Sequence, residues 1–513
     1  MQWTALIVFT GLFAFITILG FFAARWRQGD LNQIHEWGLG GRRFGTVVTW
    51  FLLGGDLYTA YTFIAVPALI FSAGAVGFFA VPYTIIVYPL VFVIFPRLWA
   101  VAHKHGFVTA ADFIEGRYGH RSLALAVALT GILATMPYIA LQLVGMEVVI
   151  GAMGIHAEGL AGDLPLIIAF LVLAAFTYTS GLRAPAMIAV VKDLLIYITV
   201  IAAVIIIPSH LGGYGAIFAA VPEAKLTLAP PPAGSLGSYS AYATLALGSA
   251  LALFLYPHSM TGVMSSSSGH VIRRNAAILP AYSFVLGVIA LLGYMAFAAN
   301  LTGKPEFAEG FARYGANFSV PALFLDQFPG WFAGVAFAAI GIGALVPAAI
   351  MSIAVANLFT RNVYKAYINR DCAPEAEARM AKIVSLIAKV GALLFVLGLQ
   401  KSQSLAIQLQ LLGGIWIIQT LPSIFFGLYT RWFDPRALLI GWATGIGTGT
   451  WMAWELGFKS SIYPITLFGV TMPGYAALYT VILNLAISIL LTLVFRAISS
   501  ITHHDVTARE DYI

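Results

Sequence analysis

The sequence is poor in charge and nearly empty of cysteine. Asp, Glu, Lys and Arg make up 9% of its 513 residues, against roughly 25% in an ordinary soluble domain. The lone Cys372 excludes an intrachain disulfide and any cysteine-built metal cluster. The chain has no P-loop, no GxSxG elbow and no HExxH, so the common signatures of nucleotide, serine-hydrolase and zinc-protease chemistry are missing. Between its apolar runs there is also no room for a soluble core: the longest polar stretches, 209–240 and 301–330, are too short to fold alone.

What remains is fat. Hydrophobic residues make up 60% of the chain, the mean hydropathy is +0.90, and one membrane crossing takes about 20 apolar residues. The charged interruptions mark thirteen such runs, at 3–24, 46–72, 77–97, 122–151, 164–182, 189–208, 241–262, 276–300, 331–360, 383–400, 405–430, 437–456 and 473–496. The fold class expected is an all-α polytopic membrane protein, with the first run retained as a span. Retained cytoplasmic loops carry the excess of Lys and Arg. Of the 27 such residues, only Lys225, Lys304, Arg313, Lys401 and Lys459 fall on the opposite side, with Lys389 inside a span. The N-terminus is therefore expected outside and the C-terminus in the cytoplasm. The net charge of +6 then reflects topology and names no nucleic-acid partner. Residues 497–513, with His503 and His504, read as a loose polar tail.

The stretch FLLGGDLYTAY, 51–61, sets Asp56 as the one charged side chain between Arg43 and Arg97. At 1.5 Å per helical residue it lies about 15 Å into its span, the middle of a hydrocarbon layer about 30 Å thick. An Asp there costs about 2.5–3.5 kcal/mol. It is read as a ligand for a coupling cation, as a proton carrier, or as a cap on a resumed half-helix. Gly54 and Gly55 before it interrupt the second run. Pro257 in FLYPHSMTG interrupts the seventh, where it suits the first position of a new helix. That leaves the amides of His258 and Ser259 aimed at an anionic or carbonyl-bearing solute. The breaks stand five runs apart, as in transporters with inverted repeats whose unwound helices hold the substrate and ion. Tyr58, Thr59, Tyr61 and Thr62 follow the first break and Tyr256 sits in the second. Tyr138 with Gln142, and Trp416 with Gln419, share helical faces that fit a pocket wall or plain interhelical packing. Lys192 and Asp193 read as a cytoplasmic interfacial pair, and Lys389 as a snorkelling lysine.

Several stretches together resemble the sodium:solute symporter family: LGGRRFG at 39–45, TAADFIEGRYG at 109–119, SGLRAP at 180–185, YPHS at 256–259 and NLFTRNVYKAY at 357–367. ALFLYPHSMTGVMSSSS and GALVPAAIMSIAVANLFTRN resemble its bacterial monocarboxylate permease branch. The resemblance implies a LeuT-like five-plus-five inverted repeat with an extra leading helix and C-terminal helices. The units expected are a leading helix and loop at 1–45, repeats at 46–208 and 241–430, two C-terminal helices at 437–496, and a cytoplasmic tail at 497–513. It further implies uptake of pyruvate, lactate, acetate or propionate across the bacterial inner membrane. The family's sodium site maps onto Gly55, Tyr58 and Gly343, but Val346 and Pro347 stand where its hydroxyl ligands are expected. A hard cation wants oxygen ligands, so the coupling ion is left as Na+ or H+, with Asp56 a candidate for either. No other cofactor is expected. A membrane sensor of the same fold, a passive channel, and a symporter for another small organic solute are the alternatives.

Overall fold

The computed structural model describes residues 1–26, 29–55, 57–155, 160–398, 406–498 and 504–513. The helices that matter here are α1 (Trp3–Phe22), α2 (Thr46–Gly55), α3 (Val66–Ala73), α4 (Ala80–His105), α5 (Arg121–Ala152), α6 (Leu160–Ser180), α7 (Arg183–His210), α8 (Gly237–Leu253), α9 (Pro257–Met264), α10 (Pro280–Ala290), α11 (Leu292–Ala298), α12 (Gly330–Phe359), α13 (Pro374–Gly398), α14 (Ala406–Ile417), α15 (Leu421–Tyr429), α16 (Pro435–Glu455) and α17 (Ala476–Ile498). Nine helical stretches among the described residues are long and apolar enough to cross a membrane, or ten with α8 and α9 taken as one bent span. Among the described residues each of the thirteen expected runs lies mainly on helix, the last starting in a strand at 473–475, so that count is compatible with the structure.

The core is built around α12. From Ala336 to Leu358 every residue is buried, and α1, α5, α7 and α13 pack around it. Outside this bundle α16 and α17 pair with each other and lean on α14.

The motifs that carry the family resemblance are joints. Arg183, buried, donates to the carboxylate of Glu36 and, at 3.3 Å, to its carbonyl, while Arg43 reaches the same carboxylate at 2.7 Å. Thr109 opens the helix Ala110–Tyr118 with a capping box to Asp112. Asn362, after α12, closes on both, accepting from the Thr109 hydroxyl and donating to Asp112, each at 2.7 Å.

Two expectations need correcting. The loop after α16 holds an antiparallel hairpin, β1 (Ile462–Leu467) and β2 (Val470–Tyr475), whose alternation is too short and mixed to read from sequence. The tail is not loose over residues 504–513. Asp505 accepts from Arg117 and, at 3.2 Å, pairs with Arg431, and the Val506 amide donates to the Gly116 carbonyl at 2.9 Å. Asp511 pairs with Lys104 at 2.5 Å and His105 at 2.7 Å. The Ala508 amide, with Lys104 and His105, holds the Asp511 carboxyl well below the usual carboxylate range. Polar composition gave no sign of this docking because its partners lie on distant helix ends. His503 lies outside the described residues.

Candidate functional site

At the first break α2 stops at Gly55, and Leu57 still donates back to the Gly54 carbonyl at 2.9 Å. Thr59 then caps the resumption: its hydroxyl accepts the Tyr61 amide at 3.1 Å, and the Thr62 hydroxyl accepts the Thr59 amide at 3.0 Å while donating to its carbonyl. A single wide π turn over Tyr61–Ala65 leads into α3. Both threonine hydroxyls thus help shape the break. Gln142 of α5 accepts the Ala60 amide at 3.1 Å. Tyr58 turns away from this region, donating to the Tyr282 carbonyl at 3.2 Å, with its ring tilted against Tyr282 and edge-on to Tyr197. Asp56 lies outside the described residues.

The two glycines of the break are needed for contact. A methyl on Gly54 would enter the ring of Tyr282, and one on Gly55 would stand 2.7 Å from the ammonium of Lys192. That ammonium donates to the freed carbonyls of Gly55 at 2.7 Å and Tyr58 at 3.3 Å. It also pairs with Asp193 at 3.0 Å, and Asp193 accepts from the Tyr282 hydroxyl at 2.7 Å. Both Lys192 and Asp193 are fully buried, so the interfacial reading of this pair is overturned. The cause is a span boundary: α7 starts at Arg183 rather than 189, which puts Lys192 about 14 Å along the helix.

At the second break α8 and α9 meet at 47°. Pro257 takes the first helical position, as expected, and Tyr256 the extended cap. Met260 makes the first ladder bond, to the Tyr256 carbonyl, so the amides of His258 and Ser259 precede the ladder. The His258 ring is wholly buried between Tyr138, 5.3 Å away, and Tyr256, 5.4 Å away. Neither ring nitrogen has a hydrogen-bond partner among the described residues. Ser259 borders a small apolar cavity with Leu53, Leu57, Val87, Phe254 and Leu279, between the two breaks. Tyr138 and Gln142, one turn apart on α5, therefore bridge them.

Trp416 and Gln419 do not join this group. The Trp416 indole donates to Thr450 of α16 at 3.1 Å, and Gln419 donates to Thr480 of α17 at 2.8 Å and accepts from Asn484 at 3.2 Å. They are interhelical contacts to the C-terminal pair, the other half of the alternative their spacing allowed. Lys389 does not snorkel: it is buried, and donates to Ser385 at 2.8 Å, which donates to Ser352 of α12 at 3.2 Å.

The sequence profile of the sodium:solute symporter family matches residues 37–445. The chain belongs to the sodium:solute symporter family. It is 55% identical over 491 residues to a monocarboxylate transport permease protein of Rhizobium johnstonii, covering 95% of this chain and 96% of the relative. It is 33% identical over 445 residues to the symporter YodF of Bacillus subtilis, covering 86% and 85%. Among solved structures it resembles a substrate-bound, outward-open Na+-coupled sialic acid symporter, with TM-score 0.73, 17% identity and 97% and 98% coverage. It also resembles a nucleobase-cation-symport-1 family transporter in a closed conformation, with TM-score 0.54, 11% identity and 94% and 99% coverage. These likenesses establish the LeuT-like fold. The protein is a multi-pass membrane transporter and not an enzyme.

Gly55, Tyr58 and Gly343, the residues matched in sequence to the family's sodium site, meet at the first break. The Cβ position of Gly343 on α12 lies 3.6 Å from the Tyr58 carbonyl, so α12 passes the first break. Val346 and Pro347, both buried there, bring no hydroxyl. Pro347 also has no N–H for the Gly343 carbonyl four residues back. The two carbonyls of the break face a lysine.

Proposed function

We propose that this symporter takes up small monocarboxylates, of the pyruvate, lactate, acetate or propionate kind, driven by a gradient of Na+ or H+. The observation that carries the reading is the second break. Unladdered amides at the start of α9 and the unpartnered ring of His258 offer donors to one carboxylate. The adjoining cavity, walled by Leu53, Leu57, Val87 and Phe254, suits a tail of one to three carbons. A second carboxylate would be buried against apolar wall, which is costly. The 55%-identical relative, itself named a monocarboxylate permease, supports the same substrate class.

Substrate contacts are assigned to Tyr138, Tyr256, His258 and Ser259, while Thr59, Thr62 and Gln142 shape the first break. Residues 46–208 and 241–430 form the two repeats, which rock around this fixed site. The Lys and Arg bias supports a bacterial cytoplasmic membrane location with the N-terminus outside and the C-terminus inside. An anion entering with one cation is electroneutral, so the membrane potential, about 2.3 kcal/mol per charge per 100 mV, neither helps nor hinders.

The test is accumulation of labelled pyruvate in proteoliposomes under separately imposed sodium and proton gradients. Protein-free vesicles serve as control, because the neutral acid crosses lipid unaided. Accumulation above the external concentration under either gradient is expected. Equilibration without accumulation under both would instead indicate a channel, and no flux at all a sensor or another solute.

A further inference from the structure

We propose that the ammonium of Lys192 is a tethered cation standing where the family binds sodium, and that this symporter works without sodium at that place. The inference deepens the symporter reading and rests on it.

Four observations converge. The carbonyls of Gly55 and Tyr58, freed by the first break, are the backbone ligands the family pattern assigns to sodium, and here both accept from Lys192 Nζ, at 2.7 and 3.3 Å. The side-chain ligands are gone as well, since Val346 and Pro347 carry no oxygen beyond their backbones. Gly55 leaves room for the ammonium and for nothing larger in its own side chain, because a Cβ there would meet Nζ at 2.7 Å. Finally the lysine is fixed rather than loose: it is fully buried, paired with Asp193 at 3.0 Å, and Asp193 is itself held by the Tyr282 hydroxyl.

A sodium ion and an ammonium carry the same charge, and carbonyl oxygens serve both. They cannot share one place, since two like charges a few ångströms apart in a dry interior repel strongly. The ammonium is covalently attached and has no entropy of binding to pay. It therefore holds α2, the break and α7 together in the way a bound ion would, without depending on the outside sodium concentration. Asp193 balances its charge, so the cluster as described is neutral.

A lysine that merely satisfies two orphan carbonyls would do so equally well as a neutral donor. The two roles are separated by Lys192→Gln, which keeps an N–H donor and loses the charge. The experiment is pyruvate uptake by the full chain in proteoliposomes with all sodium replaced by choline. Uptake within about twofold of that in sodium is expected, and Lys192→Gln, still monodisperse in detergent, is expected to lose accumulation about tenfold or more, the size of a lost charge contact. An approximately tenfold fall of wild-type uptake on sodium removal, or undiminished accumulation by Lys192→Gln, would overturn the proposal. If no monocarboxylate is taken up in either salt, the substrate reading has failed, and binding of radioactive sodium to the purified protein decides this inference by itself. No saturable binding is expected, and saturable binding would refute it.

Discussion

The side-chain oxygen of Gln142 accepts the backbone amide of Ala60 at 3.1 Å, joining α5 to the first residue after the break in the second span. That amide lies on the far side of unwound chain and is buried, so without an acceptor it becomes an orphan worth about 1–3 kcal/mol. Gln142→Leu is expected to lower the melting temperature in detergent and to remove most uptake, whereas Gln142→Glu, which keeps an oxygen in place, is expected to retain more of both. Equal loss in the two variants would mean that the amide bond is not what Gln142 provides.

His258 presents the opposite balance. Its ring is buried with both nitrogens unpartnered among the described residues, an arrangement that lowers stability unless a ligand uses it. His258→Phe keeps the ring contacts with Tyr138 and Tyr256 and removes the orphans. The melting temperature is expected to hold or rise, while the KM for pyruvate increases about tenfold, equivalent to about 1.4 kcal/mol of lost contact. A variant that melts earlier and binds pyruvate normally would make His258 a packing residue.

The sequence exposes the parts of this site that depend on local chemistry. A proline in an apolar run removes a helical hydrogen bond without always ending the helix, since Pro89, Pro96 and Pro137 lie inside α4 and α5; YPHS nevertheless marked where α9 begins and its leading amides lie. Paired glycines before Asp56 likewise marked the first break. What was hidden depended on distance in space. The depth of Lys192 turned on six residues of helix boundary, and nothing local in VVKDLL separates an interfacial lysine from one that reaches Gly55. Trp416 and Gln419 had the right spacing for a wall, but their face was decided by α16 and α17, which no pattern within the stretch 413–423 reveals. The family motifs were visible as strings and invisible as joints, because their partners lie across the fold.

One such joint gives a stability prediction. Arg183 is buried and its charge is met by Glu36, which also binds the partly exposed Arg43. Glu36→Ala leaves a buried guanidinium without its anion, a loss of about 3–5 kcal/mol by analogy with other broken buried pairs. Arg43→Ala weakens the pairing from the half-exposed side and is expected to cost less, about 1 kcal/mol or below. Thermal unfolding of the two purified variants should therefore separate widely, and similar melting temperatures would show that Arg183 finds another acceptor.

Close approach rather than hydrogen bonding sets the remaining prediction. A methyl on Gly145 of α5 would overlap the methyl of Ala60 just past the break, one turn from the Gln142 contact. Gly145→Ala must then push α5 away from the resumed half-helix, an overpacking cost of about 1–3 kcal/mol, and stretch the bond from Ala60 to Gln142. Moving the methyl across the contact, in Gly145→Ala with Ala60→Gly, restores the volume, and the glycine helix penalty of about 0.5–1 kcal/mol is relieved at 145 as it is incurred at 60, so the two roughly cancel. The double variant is expected to recover most of the uptake and stability lost by Gly145→Ala, a coupling that residues in contact show and distant ones do not. Additive losses would place the damage of Gly145→Ala elsewhere on α5 and detach that helix from the break it is argued to hold.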